Sequence, residues 1–475
     1  MKAGIFAKRR AGVLLHPSSL PGDPWQGAMA FLDFLQEAGF GLWQMLPIGP
    51  THGDLSPYSL LSAHAGNSAF LSPRWLAGRG WGGEGEGWLT QGAERFFASL
   101  AAAPGLASQY QDFCSRQAQW LEDYALFMAL REALGGQSWV DWPEPLRRRD
   151  DQALAAERLR LATPLARHKF IQFAFEQQWQ ALRAEAHSRG ILLFGDMPIF
   201  VAHDSADVWA NQRLFNLDEA GQPLVVAGVP PDYFSATGQR WGNPLYRWRR
   251  MEEEGFGWWL SRLEGQLALF DLIRIDHFRG FEACWEIPAD GEARDGRWVK
   301  VPGEALLAEM ARHHQGLPLV AENLGIITPE VEALREHFSL PGMLVLQFAF
   351  DGGAANPYLP HNHQAMEVVY TGTHDNDTSL GWYQALSGEA KEGVMAYLGL
   401  PGEPMPWPLI NAALASVARL AVLPMQDLLA LDSSHRMNTP GTVEGNWRWR
   451  FDWQQLPPEL AQGLRRRLAR YGRLG

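Results

Sequence analysis

Asp276, Glu322 and Asp375 are three acids that each stand where an apolar, β-branched run turns polar, in the stretches 271–281, 317–323 and 368–375. Such runs, bounded by turn residues, read as buried strands. In the first of them Arg274 and Asp276 share a face by the period of two, at the strand's C-terminal end. A carboxylate beside a fixed guanidinium stays ionised near neutral pH and can act as a nucleophile. A structural Arg–Asp pair closing a strand end is the alternative. Cleaving a glycosidic bond with retention needs a carboxylate nucleophile and a carboxylic acid about 5–5.5 Å apart. A third carboxylate can hold sugar hydroxyls and balance an oxocarbenium charge. Among three such neighbours one pKa must rise, which suits the general acid. Acids at strand ends also bind hard cations such as Mg²⁺ or Mn²⁺, and His203, His277 and His374 could complete such a site.

The elements that must position these residues alternate. Residues 11–16, 41–47, 190–196, 271–281, 317–323, 343–350, 368–375 and 421–429 read as eight strands, mostly separated by helical patterns. A helical pattern from Met29 to Ala38 follows the first strand. This order predicts an α/β chain closed as a (β/α)8 TIM barrel. Asp196, Asp276, Glu322 and Asp375 then end the third, fourth, fifth and seventh strands and converge on the face where such barrels do chemistry. One catalytic domain spanning 1–475 is expected, with a mainly α-helical insertion at 94–188, where no strand runs occur. The stretch 228–246 carries turn residues and aromatics and reads as a long active-site lid loop.

Several features have plainer readings. Gly80, Gly82 and Gly85 spell a formal GxGxxG, but no strand precedes it and no β-partnered helix follows, so a flexible loop is expected rather than a nucleotide site. Trp258 and Trp259 sit in a helical pattern and read as core, and Cys284 as a small apolar filler. His277 and Arg279 read as caps on a strand end. His313 with His314, and His361 with His363, lack an acid at ligand spacing and are expected in exposed loops.

Composition bounds the partners. The 475 residues are 46% hydrophobic and 20% charged, with 41 Lys and Arg against 53 Asp and Glu. A net charge of −12 without a basic cluster argues against nucleic acid and anionic membrane. Two cysteines, no CxxC and no apolar run of membrane length predict a protein of the reducing cytoplasm. Twenty-one Trp make carbohydrate a more natural ligand, because sugar rings present flat C–H faces that stack on indole.

A set of motifs narrows the reading further: Gly12-Val-Leu-Leu-His16-Pro-Ser-Ser-Leu-Pro21, Trp43-Gln-Met-Leu-Pro47, Ser56-Pro-Tyr58, Gly195-Asp-Met-Pro-Ile-Phe200, the 228–246 stretch, Arg274-Ile-Asp-His-Phe-Arg-Gly-Phe281, Ala321-Glu-Asn-Leu-Gly325 and Gly372-Thr-His-Asp-Asn-Asp377. In order and combination they resemble the amylomaltase family of 4-α-glucanotransferases, or disproportionating enzymes, in the α-amylase clan. The motifs run from about residue 11 to about residue 450, nearly the whole chain. One departure is local: Gly22-Asp-Pro-Trp-Gln-Gly27 stands where the family usually has a Gly-Ile-Gly-Asp-like turn.

The resemblance implies roles. Asp276 would be the nucleophile, Glu322 the acid/base and Asp375 the transition-state stabiliser. Arg274 would keep Asp276 ionised and oriented, and His374 would bind donor-sugar hydroxyls. Asp196 would support these groups, and Tyr58, beside Ser56, would stack on the donor sugar. Tyr233, Phe234, Gln239 and Trp241 would grip the glucan, with Asp351 and Asn446 lining the cleft. The implied partners are α-1,4-glucans (maltooligosaccharides, amylose) as donor and acceptor, in starch, glycogen and maltodextrin metabolism. No cofactor or metal is required by the scheme, and a monomer is expected. An α-amylase-like hydrolase uses the same acids, and a glucan-binding protein without turnover is the rival outside the enzymes.

Overall fold

Period-two alternation decides the centre of the molecule. The computed structural model describes residues 4–231, 236–314 and 316–475. Its central strands are β1 (Arg10–Leu14), β2 (Leu42–Gln44), β3 (Leu192–Pro198), β4 (Leu272–Asp276), β5 (Leu319–Ala321), β6 (Gly342–Val345), β7 (Glu367–Tyr370) and β8 (Leu420–Pro424). They form one 8-stranded sheet, paired in parallel in the order β6-β7-β8-β1-β2-β3-β4-β5. The Ala321 N–H donates to Pro341 O at 2.8 Å, which brings β5 against the start of β6. The ring is the expected (β/α)8 barrel, with every strand but β3 ending earlier than the apolar runs suggest. After Val345 the chain turns into a short 3-10 helix, Leu346–Phe348, and after Pro424 into a helix, Met425–Leu428.

Alternate residues point two ways. Leu14, Leu42, Phe194, Leu272, Val320, Met343, Val345, Val368, Leu420 and Val422 fill the ring as one apolar plug. Their neighbours Val13, Trp43, Leu193, Ile273, Ile275, Leu319 and Leu423 face outward into the larger core shared with the helices. Each such side chain contributes about 1.5–3 kcal/mol on full burial, so a one-residue slip of any strand would lose both layers at once. Toward the C-terminal ends the inward positions turn polar. Tyr370 OH donates to Gln44 Oε1 at 2.9 Å above the plug, and the next inward groups are Asp196, Arg274, Asp276 and Glu322. Gly195 permits this layer, because the Phe270 ring packs where its side chain would be: a Cβ there would lie 2.3 Å from Phe270 Cδ2.

Residues between β2 and β3 carry helices from Trp88–Ser99 through Ala118–Ala133 to the long Ala162–Ser188, with no strand among them. The helix after β1 starts at Pro24, not at Met29. Asp23 caps it, accepting from the N–H groups of Trp25 and Gln26 at 3.1 Å each, so the departing Gly-Asp-Pro-Trp turn is a helix start with proline in its favoured first position.

The stretch 228–246 differs from expectation more. Val225–Val229 and Gln239–Pro244 pair antiparallel, and with Ala283–Pro288 and Arg297–Lys300 they make a separate 4-stranded sheet outside the barrel. Gly, Pro and Trp interrupt the alternation here, and Gln239–Pro244 is a largely solvated edge strand, so no period-two signal marks it. Tyr233 and Phe234 lie outside the described residues.

The histidine expectations are corrected too. His313 ends the helix Gly303–His313 with Nε2 3.1 Å from Glu309, an acid one turn back. His363 is buried between Ser416 Oγ and the Tyr358 carbonyl. Trp259 and Cys284 are core, whereas Trp258 is half-buried and packs against it. Among the described residues no helix is long and apolar enough to cross a membrane.

Candidate active site

The inner layer is built by strand register. Asp196 on β3 stands opposite Arg274 on β4, and Arg274 Nη1 donates to both Asp196 oxygens at 2.9 and 2.7 Å. Its Nη2 reaches Asp276 Oδ1 at 2.8 Å. Burial works against the guanidinium charge, but Asp196 and Asp276 outweigh it and hold its pKa well above the ordinary value. On the other side of β4, Ile275 pairs with Ala321 of β5. The ladder continues one step, with the Glu322 N–H on Ile275 O and the Phe278 N–H on Glu322 O, each at 3.1 Å. Asp276, the last residue of β4, and Glu322, the first after β5, therefore stand side by side at the usual spacing of neighbouring strands, about 4.8 Å.

Glu322 is held at both oxygens. Oε2 accepts the His277 N–H at 2.7 Å and Oε1 the Leu324 N–H at 2.9 Å. His277 reaches this position in a left-handed conformation, φ 54°, that a histidine adopts at a cost. Burial pushes the Asp276 carboxyl up, to about 8, against the pull of Arg274 and with the help of Asp196, Glu322 and Asp375. Burial raises Glu322 as well, opposed by Arg274 and its two N–H partners. Each carboxylate raises the other, and burial outweighs the guanidinium, so Asp276 lies above the ordinary carboxylate range and not, as its Arg274 neighbour alone suggests, within or below it.

Loops supply the outer layer. Tyr58 OH lies 2.7 Å from Asp196 Oδ2 and 2.8 Å from His374 Nε2, and the two rings stack at 5.3 Å and 14°. With the hydroxyl donating to Asp196, the Nε2–H of His374 donates to Tyr58 Oη. Burial lowers the His374 pKa, so the imidazole is neutral at pH 7. Asp375 has its side chain 46% exposed at the mouth, with Oδ2 3.4 Å from His374 Nε2. Its Oδ1 accepts from Asn438 Nδ2 at 2.7 Å and its carbonyl from Arg436 Nη2 at 2.9 Å.

The remaining expected residues divide. Ser56 Oγ accepts the Tyr58 N–H at 3.3 Å and shapes that turn. Trp241, bonded through Nε1 to Gln239 Oε1 at 3.1 Å, meets the His277 ring edge-on at 4.8 Å, so this hairpin reaches the end of β4. Asp351 is exposed beyond β6, where its carbonyl accepts from Asn356 Nδ2 at 2.9 Å. Asn446 spends its amide inside its own loop, accepting from Thr439 N–H and donating to Thr442 O, both at 2.9 Å. Asn438, Arg436 and Trp447 were not anticipated. The Trp447 ring lies 5.8 Å from Tyr58 and 6.0 Å from His374, and its position beside Asn446 in a Trp-rich chain was the one available cue. Arg279 does more than cap: it stacks over Trp298 at 3.6 Å. His203 bonds the Gly221 carbonyl instead of joining the acids. Among the described residues no three His, Cys, Asp or Glu side chains gather as ligands of a metal ion.

Comparison with known proteins gives the family. A family profile described as 4-alpha-glucanotransferase matches residues 15–455. The chain is similar to a 4-alpha-glucanotransferase of Thermus thermophilus, at 52% identity over 96% of this chain and 97% of that one. It is similar to another from Synechocystis sp., at 45% identity over 99% of each. Among solved structures it resembles amylomaltase from Streptococcus agalactiae in complex with acarbose, with a TM-score of 0.93 at 36% identity, over 98% of this chain and 100% of that one. On these grounds the chain belongs to the 4-alpha-glucanotransferase family.

Proposed function

We propose that this protein is a retaining 4-α-glucanotransferase, moving a segment of an α-1,4-glucan onto the 4-hydroxyl of another glucan or of glucose. The observation that carries the reading is the pair Asp276 and Glu322. They are neighbours on adjacent strands, one clamped by a guanidinium and the other by two backbone N–H groups. Retention calls for two carboxyls about 5–5.5 Å apart, and neighbouring positions at the ends of adjacent strands are a way to bring two side chains that close. The Arg274 contact favours charge on Asp276, which leaves the shared proton on Glu322.

In the first step Asp276 attacks C1 of the donor sugar as Glu322 gives its proton to the glycosidic oxygen. The C1–O bond breaks, and a glycosyl-aspartate forms. In the second step the Glu322 carboxylate takes the proton of the acceptor 4-hydroxyl, whose oxygen attacks C1 and releases Asp276. Asp375 and neutral His374 bind hydroxyls of the sugar at the cleavage point, and Asp375 balances the charge that develops on its ring. Tyr58 and Trp447 offer ring faces beside it. Gln239 and Trp241, edge-on to His277 at the end of β4, hold acceptor sugar there and help exclude water. The chemistry draws on side chains alone, and the free Cys114 and Cys284 fit a cytoplasmic setting.

Incubation with maltotriose alone tests the reading. Longer maltooligosaccharides and glucose should appear with the total of reducing ends unchanged. Rising reducing ends with only shorter products would make the enzyme a hydrolase instead.

A further inference from the structure

The loop that carries His374 and Asp375 leaves β7 after Tyr370 and ends where the helix Ser379–Ala385 begins. Past Tyr370 these residues are off the sheet, so side chains must fix them. Within the loop, Asn376 Oδ1 accepts the Thr373 N–H and the Thr373 hydroxyl at 2.8 Å each. Thr373 Oγ1 in turn accepts the Asp375 N–H at 3.3 Å. These bonds tie 373–376 into one piece, but they do not set where that piece stands over the barrel mouth.

The two ends of the loop meet at one side chain. Asp427, in the helix Met425–Leu428 after β8, is 1% exposed. Its Oδ2 accepts the Thr371 hydroxyl and the Ser379 hydroxyl, both at 2.6 Å. Its Oδ1 accepts the Ser379 N–H at 2.8 Å. All three donors are neutral, and burial raises the Asp427 pKa against their pull. A carboxyl buried among neutral groups is unfavourable, and an apolar side chain would fill the space without that penalty. What only an acceptor can do here is draw both ends of the loop onto one point. On the far side Gln347 Nε2 donates to the Asp377 carbonyl at 2.8 Å and Ser433 Oγ to Asp377 Oδ2 at 2.7 Å. The loop is thus steadied from β6 and β8 but hinged on Asp427.

We propose that Asp427 is a positioning residue for the reaction: it touches no sugar, but by closing the 371–379 loop it sets where His374 and Asp375 meet the donor ring. The proposal rests on the transferase reading for the roles of those two residues. A double-mutant cycle tests it, with α-maltosyl fluoride as donor, maltose as acceptor and released fluoride as the readout. Fluoride leaves with little help from an acid, so a weakened chain still gives a measurable rate. Asp427→Asn keeps an acceptor for the Ser379 N–H and puts an amide donor where both hydroxyls now donate. It should lower kcat/KM about 30-fold in the parent chain. In a chain already carrying Asp375→Asn it should lower kcat/KM less than about three-fold, because little remains to be misplaced. Thr371→Val removes one donor and should cost about five-fold with the same non-additivity, while Thr371→Ser, which keeps the hydroxyl, should restore the parent rate. Equal fold-losses in the two backgrounds, for Asp427→Asn or, where that variant does not fold, for Thr371→Val, would make Asp427 a purely structural side chain and overturn the proposal. A parent chain that releases fluoride but forms no maltotetraose would overturn the transferase reading instead, and the cycle would still report the positioning role.

Discussion

Asp276 and Glu322 reach the barrel mouth by one means and Asp375 by another. Asp276 ends β4 and Glu322 is the first residue after β5, so their separation follows from a parallel ladder whose bonds run through Ile275, Ala321 and Glu322. Asp375 lies in the loop after β7 and is held by Asn438, 63 positions away, and by Arg436. Moving the first pair apart means opening sheet hydrogen bonds and exposing the apolar plug beneath. Moving Asp375 means losing a few bonds worth about 1 kcal/mol each. On the proposed mechanism bond making and proton transfer need a fixed distance, and the groups assigned to them stand at the strand ends. A group that must follow a sugar as its ring flattens can sit on a loop.

Replacing the strand-borne pair should do the most damage. Asp276→Asn and Glu322→Gln should each lower kcat by about 10⁴-fold or more, read as single-turnover transfer from maltotriose. Near-native activity in Asp276→Asn would sink the assignment of the nucleophile. The same substitution has a stability signature with a definite sign. Both carboxyls are raised in the folded chain, Asp276 from 3.8 to about 8, so the site keeps one proton there whichever of the two carries it. Across that interval the folded state keeps a proton that the unfolded state has released. Its contribution is therefore full below about 3.8 and is lost as pH rises to about 8. Denaturant unfolding of the parent should weaken over this interval, and Asp276→Asn should flatten the slope. Activity should fall on the alkaline side too, as the shared proton leaves and Glu322 can no longer act as an acid.

Asp196→Asn tests the layer behind the pair. It removes one carboxylate from a buried guanidinium, which should cost about 3–5 kcal/mol of stability. It should lower kcat by about 100-fold through a misplaced Arg274. A variant with full stability would show that Asp276 alone satisfies Arg274.

Asn438→Ala addresses the loop-borne acid. Transfer should fall by about 10- to 100-fold with unfolding unchanged, because only the Asp375 side chain loses its anchor. An equal loss of stability would mean that the loop is as firmly built as the strands, and the contrast between the two would fail.

What the sequence discloses follows the same division. The inner acids were legible because each closes an alternating run: Phe194 then Asp196, Leu272 then Arg274 and Asp276, Val320 then Glu322. The helix start at Asp23 and Pro24 carried its capping chemistry openly, though the reading began the helix too late. The side sheet did not show itself, because Val225–Val229 and Gln239–Pro244 are short, carry glycines, and have one strand at a solvated edge. Asn438 and Arg436 had no local signal at all. Their partner is distant in the chain, and an asparagine in a polar loop looks the same whether or not it grips an acid. His363 carries no local sign of its burial either, since its contacts with Ser416 and Tyr358 come from tertiary packing and not from its neighbours in sequence.

Asn446 gives the smallest effect and the finest test of the contrast. The family resemblance placed it against substrate, but its amide is occupied on both sides by Thr439 and Thr442, and the next residue, Trp447, stands at φ 64° beside Tyr58 and His374. Its role is then to brace the loop that presents an indole to the donor sugar. Asn446→Asp keeps an acceptor for the Thr439 N–H and loses the donor to Thr442 O, whereas Asn446→Ala loses both. If bracing is the role, KM for maltotriose should rise by about three-fold in the first and about ten-fold in the second, with kcat little changed. A direct contact with the reacting sugar would instead lower kcat in both variants to the same degree, and the loop layer would then hold a catalytic group of its own.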